Sequence, residues 1–174
     1  SKDIAGFDNA GNQFGGPTVI PGKVGSALSF DGVNDHVLVP SHPEVNFFGS
    51  GPGPAQDITI DAWVRVQPSA APGTNVIVDK RVNPGQPVGY SLFLSNGYLG
   101  FQMADGSAPG AACGTGLSFP CTNWISSVSN VADGNWHLVA VTVSRPSPGG
   151  LAGGLYVDGV LVLSFTPRSG SLHN

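Results

Sequence analysis

Glutamate and methionine each occur once in this sequence, at Glu44 and Met103. Charge of either sign is scarce, with seven Lys and Arg against eleven Asp and Glu in 174 residues and a net charge of −4. No basic run or patch exists, which argues against nucleic acid and anionic membrane surfaces as partners. No apolar stretch approaches the about 20 residues that a membrane-spanning helix needs. The N-terminus lacks the apolar segment of a secretory leader, so a secreted form is expected to have lost its leader already. Helical periodicity is missing throughout, and no G-x-S-x-G nucleophile elbow occurs.

Turn formers and alternating apolar runs fill the space instead. The 26 glycines and 15 prolines approach low-complexity levels, yet 40% of residues are hydrophobic, which marks a turn-rich β protein rather than a disordered one. The length suits a single domain over 1–174, with 1–17 as an N-terminal turn and edge segment. Asp8 to Asn12 reads as a turn, Thr18 to Ile20 as an edge strand, and the strands around Leu28–Phe30 and His36–Val39 as a pair joined across Asp31 to Asp35. Ser41 to Gln56 reads as a surface loop with Val45, Phe47 and Phe48 beneath it. Asp57 to Val66 is the clearest strand, with Ile58, Ile60, Ala62 and Val64 on one face and Thr59, Asp61, Trp63 and Arg65 on the other. Gln67 to Thr74 reads as a loop and Val76 to Val78 as a short strand. Asn96-Gly97 suits the type I′ turn of a hairpin between Tyr90–Leu94 and Tyr98–Met103. Further strands are expected at Trp124–Val128 and Trp136–Val143, and a last hairpin, Leu155–Val157 with Val160–Phe165, closes on Asp158-Gly159. Many short strands between turn signals spell an all-β sandwich.

Cys113 and Cys121 lie in a small-residue loop, Gly110 to Asn123. The simplest reading is a local Cys113–Cys121 disulfide and an oxidising, extracellular compartment. Two free thiols and a metal pair are the alternatives, the latter disfavoured by the absence of a second Cys/His pair at ligand spacing.

Four motifs in order carry a resemblance: G-K-x-G-x-A-L-x-F-D-G-x-x-D from Gly22 to Asp35, T-I-x-A-W-V from Thr59 to Val64, W-H-x-V-A-V-T from Trp136 to Thr142, and L-Y-V-D-G from Leu155 to Gly159. Together they resemble the laminin-G-like branch of the concanavalin A-like lectin/glucanase jelly rolls, over Thr18 to Thr166. The resemblance implies an antiparallel β-sandwich. It also implies a final strand with a D-E-V-R-like motif, which the residues up to Asn174 do not contain. A trimmed chain, a cleaved remainder or a strand donated by a second chain would each explain that difference. Lectins, adhesion modules, carbohydrate-binding modules and glycosidases share this fold. The expectation is a non-catalytic, secreted recognition module for a glycan or an extracellular protein surface. A structural or assembly domain completed by a partner's strand comes next, and a glycoside hydrolase third.

Catalysis finds little support. Retaining glycosidases hold two carboxyl groups about 5–5.5 Å apart, whereas four residues of strand separate Asp57 and Asp61 by roughly 13 Å. Glu44 sits in a proline-bounded loop, and His137 falls at a position where the resemblance implies a structural role. A structural calcium is a candidate at Asp31, Asn34 and Asp35, whose oxygens are of the type calcium takes; the alternative is that they hydrogen-bond their own turn. The pentraxin calcium run has a partial counterpart in Thr74 to Lys80, where Asn75 matches but Thr74 replaces the acid. For sugar, which needs aromatic faces and planar polar groups, the candidates are Trp124, Trp63, Arg65 and Tyr90. The resemblance implies packing roles for Trp63 and Trp136, which leaves Trp124 as the favoured contact.

Overall fold

The computed structural model describes residues 9–41, 57–82, 88–105, 113–114, 121–144 and 152–167. The expectations for Ser41 to Gln56 beyond Ser41, and for most of the cysteine loop, lie outside these residues. By contacts the chain divides into two compact units, Ser1–Asn46 and Phe47–Asn174. Among the described residues no helix is long and apolar enough to cross a membrane.

In the first unit, β1 (Asn12–Phe14) pairs antiparallel with β4 (His36–Leu38), and β2 (Thr18–Pro21) with β3 (Ser26–Ser29). This corrects two expectations. Asn12 opens a strand rather than ending a turn. The segment Asp31 to Asp35 does not close a hairpin, because the strands before and after it find different partners. Both pairs are short and mostly exposed, so alternation carries little signal there. The Phe14 and His36 rings stack with centroids 5.1 Å apart.

The second unit contains two four-stranded antiparallel sheets. One has the order β12 (Val160–Phe165), β11 (Ala152–Val157), β10 (Trp136–Ser144), β5 (Ile58–Arg65). The other runs β6 (Thr74–Asp79), β7 (Val88–Ser95), β8 (Tyr98–Asp105), β9 (Cys121–Ile125). A 3₁₀ turn, Pro68–Ala70, interrupts the loop after β5. The face alternation read for β5 is present: Ile58 is buried, Ile60, Ala62 and Val64 are half-buried, and the four residues between them are exposed. Both hairpin turns form as expected, with Asn96 and Asp158 in the left-handed region at φ 49° and 51°, where Asn and Asp are the tolerated side chains.

The sheets close on each other through one core. Val139, Val141, Val143, Leu155 and Val157 of the first sheet meet Tyr90, Leu92, Leu94, Leu99, Phe101 and Met103 of the second. Aromatic rings bridge the layers: Phe165 of β12 lies 4.5 Å from Trp124 of β9 and 6.1 Å from Phe101 of β8, centroid to centroid. Fully burying a side chain of this size stabilises by about 1.5–3 kcal/mol, so this interlayer cluster sets the rigidity of everything built on the outer faces.

Candidate functional site

Strand parity decides what each sheet shows to solvent. On β9, Thr122 and Trp124 point to the core, so Asn123 and Ile125 face out. Asn123 pairs with Gln102 on β8, and Gln102 with Ser91 on β7. Next to Ser91 comes Asp79, the last residue of β6. Four polar positions on the face away from the core thus line up across four strands, with Asp79 exposed, Asn123 half-buried, and Ser91 and Gln102 buried.

Arg81, just past β6, ties them together. Its Nε donates to Asp79 Oδ1 at 2.8 Å, and one terminal nitrogen donates to Asp79 Oδ2. The other terminal nitrogen donates to Gln102 Oε1, and Gln102 Nε2 donates to Asn123 Oδ1 at 2.6 Å. The Arg81 amide also donates to Asp79 Oδ1. The carboxylate of Asp79 raises the guanidinium above its ordinary value. Ser91 anchors the row to β6 by donating to the Val78 carbonyl at 3.1 Å. The result is a ladder, Asp79–Arg81–Gln102–Asn123, whose members hold one another in fixed rotamers.

Beneath and beside the ladder lies a hollow of about 240 Å³, lined among others by Arg81, Gln102, Asn123, Phe93, Ser95 and Thr74. The buried Phe93 ring packs against Gly100, where an added Cβ would come within 2.6 Å of Phe93 Cε2. Glycine at 100 is what lets the ring settle as a floor. Val76 and Ile125, both exposed, form apolar rims. The volume is just under the about 300–1,000 Å³ of sites for drug-sized ligands, which suits one ring or end group of a longer molecule.

The expected ligand residues do not meet there. Trp124 is on the correct strand but the opposite face, stacked on Phe165 and Phe101. Tyr90 is 4% exposed, and desolvation pushes its hydroxyl up to about 12; it is a core residue and cannot offer its face to a ligand. Trp63 and Arg65 share the outer face of the other sheet. Trp63 is 41% exposed, contrary to its expected packing role, and the Arg65 guanidinium sits 5.0 Å over the half-buried Trp136 ring. A second hollow of about 270 Å³ on that sheet is bordered by Thr59, Thr142, Gly154, Tyr156, Leu161 and Ser164.

At Asp31 to Asp35 the carboxylates serve their own turn. Asp31 Oδ1 accepts the amides of Val33 and Asn34, and Asp35 Oδ2 accepts the amide of Asp31. The Val33 amide is the chief reason that the Asp31 carboxyl lies below its ordinary range. The Asn34 carbonyl accepts from His36 Nδ1. Each carboxylate holds the turn through one oxygen, and among the described residues no group of three or more His, Cys, Asp or Glu side chains converges.

Cys113 and Cys121 form a disulfide, and Gly114 beside it makes a parallel bridge to Thr122. The bond pins the strand that presents Asn123.

His137 has a structural setting. Its Nδ1 lies 2.7 Å from Asp158 Oδ2 and its Nε2 3.1 Å from Asp133 Oδ1. Asp158 also accepts the Leu138 amide, so the imidazolium ties β10 to the β11–β12 turn. The Asp158 hydrogen bond raises His137 above 6.5; the Asn135 side chain, then its amide and His137, lower Asp133 to about 2. A raised histidine stabilises fully below its unfolded value and loses that effect as pH rises through the folded one; a lowered aspartate does so above its unfolded value and fails as pH falls. The tie is therefore complete between about pH 4 and 6.5. The thermal midpoint should be higher at pH 5.5 than at pH 8, and His137→Gln should remove that difference; an unchanged difference would place the pH dependence elsewhere.

A family model described as the concanavalin A-like lectin/glucanases superfamily matches residues 30–174. No curated protein matches the sequence. Among solved structures, the binding domain of paraclostridial mosquitocidal protein 1 is similar with a TM-score of 0.65 and 18% identity, over 95% of this chain and 37% of that one. The binding domain of botulinum neurotoxin DC, solved in complex with rat synaptotagmin II, is similar with a TM-score of 0.64 and 16% identity, over 99% of this chain and 38% of that one. The chain thus spans less than two-fifths of either structure, and at these identities the likeness is one of fold.

Proposed function

The chain belongs to the concanavalin A-like lectin/glucanase superfamily, and from that premise we propose that it is a non-catalytic, secreted module that binds carbohydrate in the hollow on β6–β9. The observation that carries this reading is the ladder of planar polar groups over an aromatic floor. Sugars expose hydroxyls that donate and accept, and amide and guanidinium planes of fixed orientation match them. Asn123 accepts through its oxygen within the ladder, which keeps its amide nitrogen for a ligand. Asp79 is the one carboxylate of the ladder and is ion-paired, and among the described residues lining the hollow there is no pair of carboxyl groups of the kind that glycoside hydrolysis uses. The disulfide fits an oxidising compartment.

A glycan array followed by titration of the best binder tests this. Gln102→Leu breaks the ladder at its centre and strands the Arg81 and Asn123 groups, so affinity should fall about 10- to 100-fold, while Trp63→Ala on the opposite sheet should bind as the parent does. The reverse pattern would sink the reading. It would favour the second one, adhesion to a protein surface through the exposed Trp63 and the Leu161 side chain on the outer face of β5–β10–β11–β12. Botulinum neurotoxin DC's binding domain takes a protein partner, which lends that second reading its fold-level support.

A further inference from the structure

We infer that Asp79 is a specificity-determining residue, closing the Arg81 guanidinium to anions so that the hollow selects neutral over acidic or sulfated sugars. The inference rests on the carbohydrate reading above and deepens it. A guanidinium grips a carboxylate or sulfate through two parallel N–H donors on one edge. In Arg81 the edge formed by Nε and one terminal nitrogen is already bidentate on Asp79, and the third nitrogen donates to Gln102. Three of its five N–H groups are thus engaged, the Nε edge is closed, and the end-on edge is shared with Gln102. Charge agrees with geometry, because Arg81 is the one charged residue among the described residues lining the hollow, and Asp79 beside it balances that charge. An anionic group entering the hollow would meet the Asp79 carboxylate without gaining the clamp that could offset its desolvation. A hydroxyl has no such penalty and needs one donor or acceptor at a time, which Asn123, Ser95 and Thr74 supply.

The test is Asp79→Asn, with Asp79→Ser as a second variant in case the new amide nitrogen repels the guanidinium. Two probes are used: inorganic sulfate, followed through the side-chain N–H resonances of Arg81, and paired neutral oligosaccharides and their uronate or sulfated counterparts of the same linkage. The parent should show no saturable sulfate shift and should bind neutral glycans at least about 10-fold more tightly than the acidic counterparts. Either variant should gain a saturable sulfate shift and lose most of that preference. Adding Arg81→Gln to the variant should remove the gain. Folded variants that gain no sulfate binding would overturn the inference, as would a parent that prefers acidic glycans. The sulfate arm stands apart from sugar: a gain there with no glycan bound by the parent would uphold the closed edge and sink the carbohydrate reading alone.

Discussion

Phe101→Ala should cost about 3–5 kcal/mol of folding stability, the range for emptying a buried aromatic site. Phe101 is completely buried, and its ring contacts Tyr90 within its own sheet, Trp124 on the neighbouring strand, and Phe165 across the interlayer gap. Because the ring is held by neighbours in both layers, the surrounding structure cannot collapse around the void without shifting the sheets. Whole domains are stable by only about 5–15 kcal/mol, and the loss is a large share of that. Urea unfolding followed by tryptophan fluorescence, to which Trp124 beside the cavity contributes with Trp63 and Trp136, reads the effect. The midpoint should fall sharply with the slope retained. Phe101→Leu, which keeps most of the volume, should cost far less. A loss under about 1 kcal/mol for the alanine variant would mean that the Trp124–Phe165 stack alone seals the layers.

Much of this architecture was legible in the residues. Alternation in Asp57 to Val66 gave the faces of β5, and the Asn-Gly and Asp-Gly pairs placed both hairpins, because period and positive-φ chemistry are local properties. Trp124 shows where local reading stops. Its strand was expected to span 124–128, but the strand is Cys121–Ile125, and the aromatic was assigned to a ligand by type rather than by parity. Parity alone would have turned Trp124 inward and Asn123 outward. The ladder was hidden for a different reason. Asp79, Arg81, Gln102 and Asn123 come from positions up to 44 apart in sequence, and only the pairing registers of β6–β9 make them neighbours. Thr74 to Lys80 reads as a broken calcium run, and its one acid, Asp79, grips Arg81. The four motifs of the family resemblance lie on the other sheet and in the first unit, and no residue of the hollow falls within them. Fold signal and candidate site therefore occupy different parts of the chain.

That separation gives Gly89 its importance, since it is the point where backbone geometry supports the site. Gly89 has φ +118°, a conformation that side-chain-bearing residues rarely adopt, and an added Cβ would sit 2.1 Å from the Lys80 carbonyl oxygen and 3.2 Å from Arg81 Cα. The contact is backbone on backbone, so no rotamer change relieves it. Here β6 and β7 are stitched by Lys80 N to Tyr90 O at 2.9 Å and by the reciprocal Val82–Val88 pair. Alanine at 89 must therefore push out the segment that carries Asp79 and Arg81. Strain of about 1–3 kcal/mol at the dihedral and a similar overpacking cost make Gly89→Ala a loss of about 2–6 kcal/mol. Gly73→Ala separates the two components, because Gly73 also has a positive φ, +90°, but nothing within 4 Å of its added Cβ; it should show the dihedral cost alone. Gly89→Ala should also weaken glycan binding under conditions where the variant is still folded, since Arg81 can no longer reach Gln102. A variant that loses stability but binds at parental strength would show that the ladder tolerates displacement of its first two members, and would shift the weight of recognition to Gln102 and Asn123.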